Sequence, residues 1–133
     1  MNRVFADSHY FIALPNERDA GHRRARAHSL ERHREVVTTR WMLAEVADAL
    51  CAIRWRQRVG MFVEQVQTRS RFVVLGGSDA LFQRGLTLYR SRADKEWSLT
   101  DCISFVVMGD EGLAEALTGD RLFEQAGFVA LLA

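Results

Sequence analysis

A chain of 133 residues, 48% apolar and 26% charged, has an ordinary globular composition, which excludes a disordered chain. The length suits one domain, and at this size roughly two thirds of the unfolded surface can be buried. The net charge of +1 excludes a global field that gathers nucleic acid, so any such binding must use a local patch.

Residues 3–6 (RVFA) read as a short buried strand ending at Asp7, and SHYFIAL reads as a helical turn. The opening MNRVFADSHYFIAL is too short and too interrupted for a signal peptide, and no stretch approaches the ~20 apolar residues that span a membrane. Residues 16–34 are highly charged, with Ala20, Ala27 and Leu30 as a thin apolar stripe, which predicts a solvated helix. Residues 36–38 make a second strand. The clearest helix covers residues 39–58, where Met42, Val46, Ala49, Leu50 and Ile53 recur at helical spacing and Gly60 marks a break. A further helix covers 61–69, and a third strand, 72–75, is closed by Gly76-Gly77. Ser78 or Asp79 caps a helix to about Arg92, and Ser98 opens another to about Met108. Residues 114–118 and 128–131 form the last two strands. Strands alternating with helices imply parallel pairing with helices on both faces of the sheet. The only proline, Pro15, divides nothing, and residues 1–133 read as one α/β domain. Cys51 and Cys102 are isolated in apolar surroundings and read as buried thiols of a reducing cytoplasm.

Sites of open parallel sheets form at the carboxyl ends of the strands, where this reading puts Asp7 and Asp120. Each also has a plain structural role open to it, because Asp before a helix accepts a hydrogen bond from an N2 or N3 amide. Asp101 closes Ser98-Leu-Thr-Asp101, which has the form of a capping box. Glu45 lies on the flank of the Met42/Val46 stripe, where a carboxylate needs a partner, an arginine or a metal, because burying an unpaired charge is costly. Asp48 falls nearly opposite the stripe and belongs in solvent. Four converging acids repel one another, and a hard divalent cation, Mg2+ or Mn2+, removes the difficulty while leaving positions for a substrate phosphate. That is the chemistry of metal-assisted phosphodiester hydrolysis, which needs no histidine base. The four histidines (His9, His22, His28, His33) lie in the first quarter, and the spacing of the last three aligns them on no helix face.

The order Asp7, Glu45, Asp101, Asp120 resembles the PIN-domain ribonucleases, in particular the VapC-like toxins of prokaryotic toxin–antitoxin pairs. The resemblance spans the chain and rests on VFADSHYFIAL, TTRWMLAEVADAL, DKEWSLTDCISFVVM and ALTGDRLFEQAGF. It implies a Rossmann-like α/β/α sandwich with a mainly parallel sheet of about five strands. It also implies that the four acids form a Mg2+ or Mn2+ site, with Ser8 after the first acid and Thr118 before the last as supporting hydroxyls. An RNA substrate, a homodimer and an antitoxin that blocks the site follow from the same likeness. Some relatives carry a further acid just beyond the fourth; here that place holds Leu122.

Two local patches could hold phosphates: Arg54, Arg56 and Arg58, which end the Glu45 helix in this reading, and Arg23, Arg24 and Arg26 on the solvated helix. A solvated charged face is the more common reading of either run. Two other classes remain open. A receiver- or phosphatase-like phosphoryl-transfer domain would use Asp7 as covalent acceptor and needs a strand-end lysine, whereas Lys95, the only lysine, lies in a polar stretch before Trp97. A non-catalytic interaction module would keep the fold and bind no metal.

Overall fold

Short apolar strands, whose successive side chains point to opposite faces, build the centre of the molecule. The computed structural model describes residues 2–31 and 33–133. Strand β1 (Arg3–Ala6) sends Val4 and Ala6 into one apolar cluster and Phe5 into the other, and β2 (Glu35–Thr39) divides Val36 and Val37 in the same way. With β3 (Phe72–Leu75), β4 (Glu115–Leu117) and β5 (Val129–Ala130) they form a five-stranded sheet, order β3-β2-β1-β4-β5. Every pair is parallel.

Helices α1 (Ser8–Ala13), α2 (His22–Ser29), α3 (Arg40–Ala49) and α4 (Ile53–Thr68) cover one face, where Phe11, Leu43, Val46 and Val59 meet Val4 and Val36. Helices α5 (Asp79–Ser91), α6 (Leu99–Glu111) and α7 (Leu122–Gln125) cover the other, where Phe105, Met108 and Phe123 meet Phe5 and Val37. The result is the expected α/β/α sandwich. The chain winds outward from β1 to β3, then returns to the other side of β1 with β4. The strand order therefore reverses between β1 and β4, and a crevice opens at the carboxyl ends there.

Three local expectations are corrected. The helix expected over residues 39–58 is two helices. Leu50 leaves helical geometry (φ −114°, ψ 39°) and Ala52 is extended (φ −58°, ψ 149°). Trp55, Val59, Phe62 and Val66 form a stripe of their own that joins the cluster at the end of α1. Ile53 is consequently 93% exposed rather than part of the stripe, and Gly60 lies inside α4 with open space beside it. Secondly, α2 starts only at His22, because Asn16 and Asp19 accept the amides of Arg18 (3.1 Å) and Gly21 (2.8 Å) and fold the preceding residues into turns. Thirdly, Cys51 sits in the α3–α4 junction and is exposed, while Cys102 is buried as expected. No helix among the described residues is long and apolar enough to cross a membrane.

Candidate active site

The four acids arrive at the crevice from four elements. Asp7 leaves β1 and stands before α1, yet its side chain makes no cap hydrogen bond, so the plain capping role does not hold for it. It is only 6% exposed, and the Thr118 hydroxyl donates to its Oδ2 at 2.7 Å. The same hydroxyl accepts the Asp120 amide at 3.0 Å, which ties the end of β1 to the loop after β4. Asp120 Oδ1 in turn accepts the Leu122 amide at 2.9 Å, an Asx turn leading into α7. Asp101 does form the capping box: it accepts the Ser98 amide at 3.1 Å and donates its own amide to Ser98 Oγ at 3.0 Å. Glu45 lies on the second turn of α3, whose start is fixed by Thr39 Oγ1 accepting the Met42 amide at 3.2 Å. It is half-buried and makes no hydrogen bond or ion pair with a described residue.

These acids feel one another. Burial pushes the Asp7 carboxyl up to about 7; the Thr118 hydrogen bond opposes the rise, and the charges of Asp101 and Glu45 add to it. Asp101 is raised too, first by burial, against its bonds to Ser98, with Asp120 adding to the rise. Electrostatic contact thus runs from Glu45 through Asp7 and Asp101 to Asp120. No group of three His, Cys, Asp or Glu side chains among the described residues is drawn together closely enough to hold a metal ion. The donor chemistry nonetheless fits a hard divalent cation: oxygen donors only, no basic side chain among the described residues bonded to any of the four, and a buried carboxyl whose charged form burial disfavours.

Among the other expected residues, Thr118 bonds Asp7 through its hydroxyl, whereas Ser8 contributes its amide, which lies 3.3 Å from Met42 Sδ and also favours the Asp7 carboxylate. Arg54, Arg56 and Arg58 open α4 instead of ending the Glu45 helix. Arg54 and Arg58 stand beside Pro15, Asn16 and Leu50, at the far ends of α1 and α3 from the acids, and Arg56 donates to the Cys51 carbonyl at 3.1 Å. Lys95 lies in the α5–α6 connection, 3.9 Å from Asp94, and not at a strand end. Sequence reasoning passed over His9. Its Nδ1 accepts the Gly119 amide at 3.2 Å, and its ring lies so close that a Cβ on residue 119 would come within 2.7 Å of it. His9 is the one histidine outside the charged stretch and two residues from Asp7, the signal that could have singled it out. His22 bonds the Ala13 carbonyl at 2.9 Å, His28 faces Arg34, and His33 is exposed.

No protein-family model matches the chain, and no curated protein matches it either. Among solved structures the chain is similar to Mycobacterium tuberculosis VapC20, described as a toxin that cleaves the sarcin-ricin loop. The identity is 25%, the TM-score 0.85, and the match covers 95% of this chain and 96% of that one. The fold is therefore that of the VapC-like PIN-domain proteins.

Proposed function

We propose that this chain is a ribonuclease that hydrolyses RNA phosphodiester bonds with the help of Mg2+ or Mn2+, as the toxin of a toxin–antitoxin pair. The observation that carries the reading is the placement of Asp7, Glu45, Asp101 and Asp120 around the β1/β4 crevice of a fold shared along 95% of the chain with an RNA-cleaving toxin. The four acids would hold the cation. When bound, it supplies a Lewis acid that lowers the pKa of water and balances charge on the scissile phosphate. Thr118 holds Asp7 Oδ2 and the Asp120 amide at once, which fixes the two sides of the crevice relative to each other. The Asp101 carboxylate keeps one oxygen on Ser98 and offers the other. An antitoxin protein, a homodimeric state and a cytoplasmic setting belong to the same reading.

The test is incubation of RNA bearing a sarcin-ricin loop, and of total RNA, with the protein in Mn2+ or in chelator. Cleavage is expected in Mn2+, with loss in chelator and in Asp7→Asn and Asp101→Asn. Cleavage that persists in excess chelator would refute the metal requirement. That no three acids among the described residues are drawn together as a ligand group is the observation that favours a non-catalytic module. That alternative is selected if the protein neither cleaves RNA nor shows saturable Mn2+ binding in a titration.

A further inference from the structure

Arg54, Arg56 and Arg58 open α4, away from the acids, and a different basic surface lies at the end of α6 that carries Asp101. Helices α5 and α6 form an antiparallel hairpin: Gly85 abuts Ile103, and Arg84 pairs with Asp110 at 2.6 and 2.9 Å further along. Their connection therefore lies at the end of α6 that carries Asp101. A groove of about 780 Å³ runs along it, lined by Tyr89, Arg90, Arg92, Lys95, Trp97 and Ser98, with Glu96 beside them. Its floor is rigid. Trp97 is buried, donates Nε1 to Gln125 of α7 at 3.2 Å and stacks edge-on against Phe105 at 5.1 Å. Arg92 is committed to this floor, lying 5.0 Å from the Trp97 ring centroid and binding Asp94 at 3.0 and 3.2 Å. Arg90 has no ion pair among the described residues, and Lys95 has only a loose contact of 3.9 Å with Asp94. Tyr89 is 48% exposed. At the other end Ser98 is bonded in both directions to Asp101.

We propose that this groove is the path by which a single-stranded RNA segment reaches the acids, one base stacking on Tyr89 and the adjoining phosphates resting on Arg90 and Lys95. An exposed aromatic ring and cations lining one groove are the combination that holds single strands without regard to sequence: stacking supplies affinity and the cations track the backbone. The surface pair with Asp94 offers little resistance, because exposed ion pairs are weak and a phosphate can replace the carboxylate. The groove ends at Ser98, one helical turn from Asp101, so a strand lying in it brings its next phosphates to the crevice. The inference rests on the ribonuclease reading and adds the direction of approach.

Binding of a labelled single-stranded oligoribonucleotide of mixed sequence, measured by fluorescence anisotropy in chelator over a range of salt, tests it without cleavage. Tyr89→Ala is expected to weaken binding about tenfold and Tyr89→Phe to bind as wild type. Arg90→Ala with Lys95→Ala is expected to flatten the salt slope by about 0.7 for each lost phosphate contact. The triple variant Arg54→Ala, Arg56→Ala, Arg58→Ala should keep the wild-type slope. Groove variants that bind like wild type, or a slope lost in the triple variant instead, overturn the proposal while leaving the ribonuclease reading intact. A wild-type protein that neither binds nor cleaves RNA overturns that reading, and the groove with it.

Discussion

At the scale of single residues, the informative group is Asp7, a carboxyl in an apolar position facing other acids. The unfolded chain releases its proton in the ordinary carboxylate range, whereas the native chain keeps it up to about pH 7. Between those values the native state binds more protons than the unfolded state, so stability falls as pH rises; the native advantage is complete below that window and gone above it. Asp7→Asn keeps an oxygen to accept the Thr118 hydroxyl and removes the titration. Thermal unfolding across this pH range should therefore fall with pH for wild type and run flatter for the variant. The variant should be the more stable above neutrality, by at most about 4 kcal/mol. Parallel curves for the two proteins would show that Asp7 carries no raised pKa. Nothing in the sequence around Asp7 announces this environment. Burial and the approach of Thr118 depend on β4 lying next to β1, 111 residues apart in sequence.

Among the elements, two glycines in helices give opposite expectations from the same chemistry. Gly60 lies inside α4 with open space where a Cβ would stand, so Gly60→Ala should stabilise by about 0.5–1 kcal/mol through helix propensity alone. Gly85 lies against α6, where a Cβ would come within 2.4 Å of Ile103 Cγ1 and 3.2 Å of its Cα. Gly85→Ala gains the same propensity but must push α5 from α6, and overpacking of this kind costs about 1–3 kcal/mol, so it should destabilise. Denaturant unfolding of both variants checks the pair, and equal shifts in the same direction would contradict the packing argument. The same two elements show what was legible. Ser98-x-x-Asp101 gave the start of α6 correctly, because a capping box is local chemistry. The α3–α4 break was missed, because an apolar stripe specifies helical periodicity and not the partner it packs against. Leu50 continued the pattern of α3 and Trp55 began that of α4, and both pack against the end of α1 across the break.

For the whole molecule, strand alternation in the sequence was enough for a parallel α/β sandwich, but not for its order. The exchange of sides around β1 is what brings Asp7, Asp101 and Asp120 to one crevice, and it comes from the crossovers rather than from any motif. The order also changes the meaning of Asp120. Its Oδ1 accepts the Leu122 amide, so a local role exists, and Asp120→Asn preserves it because Asn retains that oxygen. What the substitution removes is charge. If the four acids share a cation, its binding draws together elements from both halves of the sheet, and a ligand that binds only the native state raises the unfolding midpoint. Wild type should then gain clearly more from Mn2+ than Asp120→Asn does. In chelator the variant should be equal to wild type or more stable, since Asp120 is among the charges that raise Asp101. Thermal unfolding of both proteins, each in chelator and in Mn2+, measures the four midpoints. Equal Mn2+ shifts would leave Asp120 with its turn alone and take it out of the cation site.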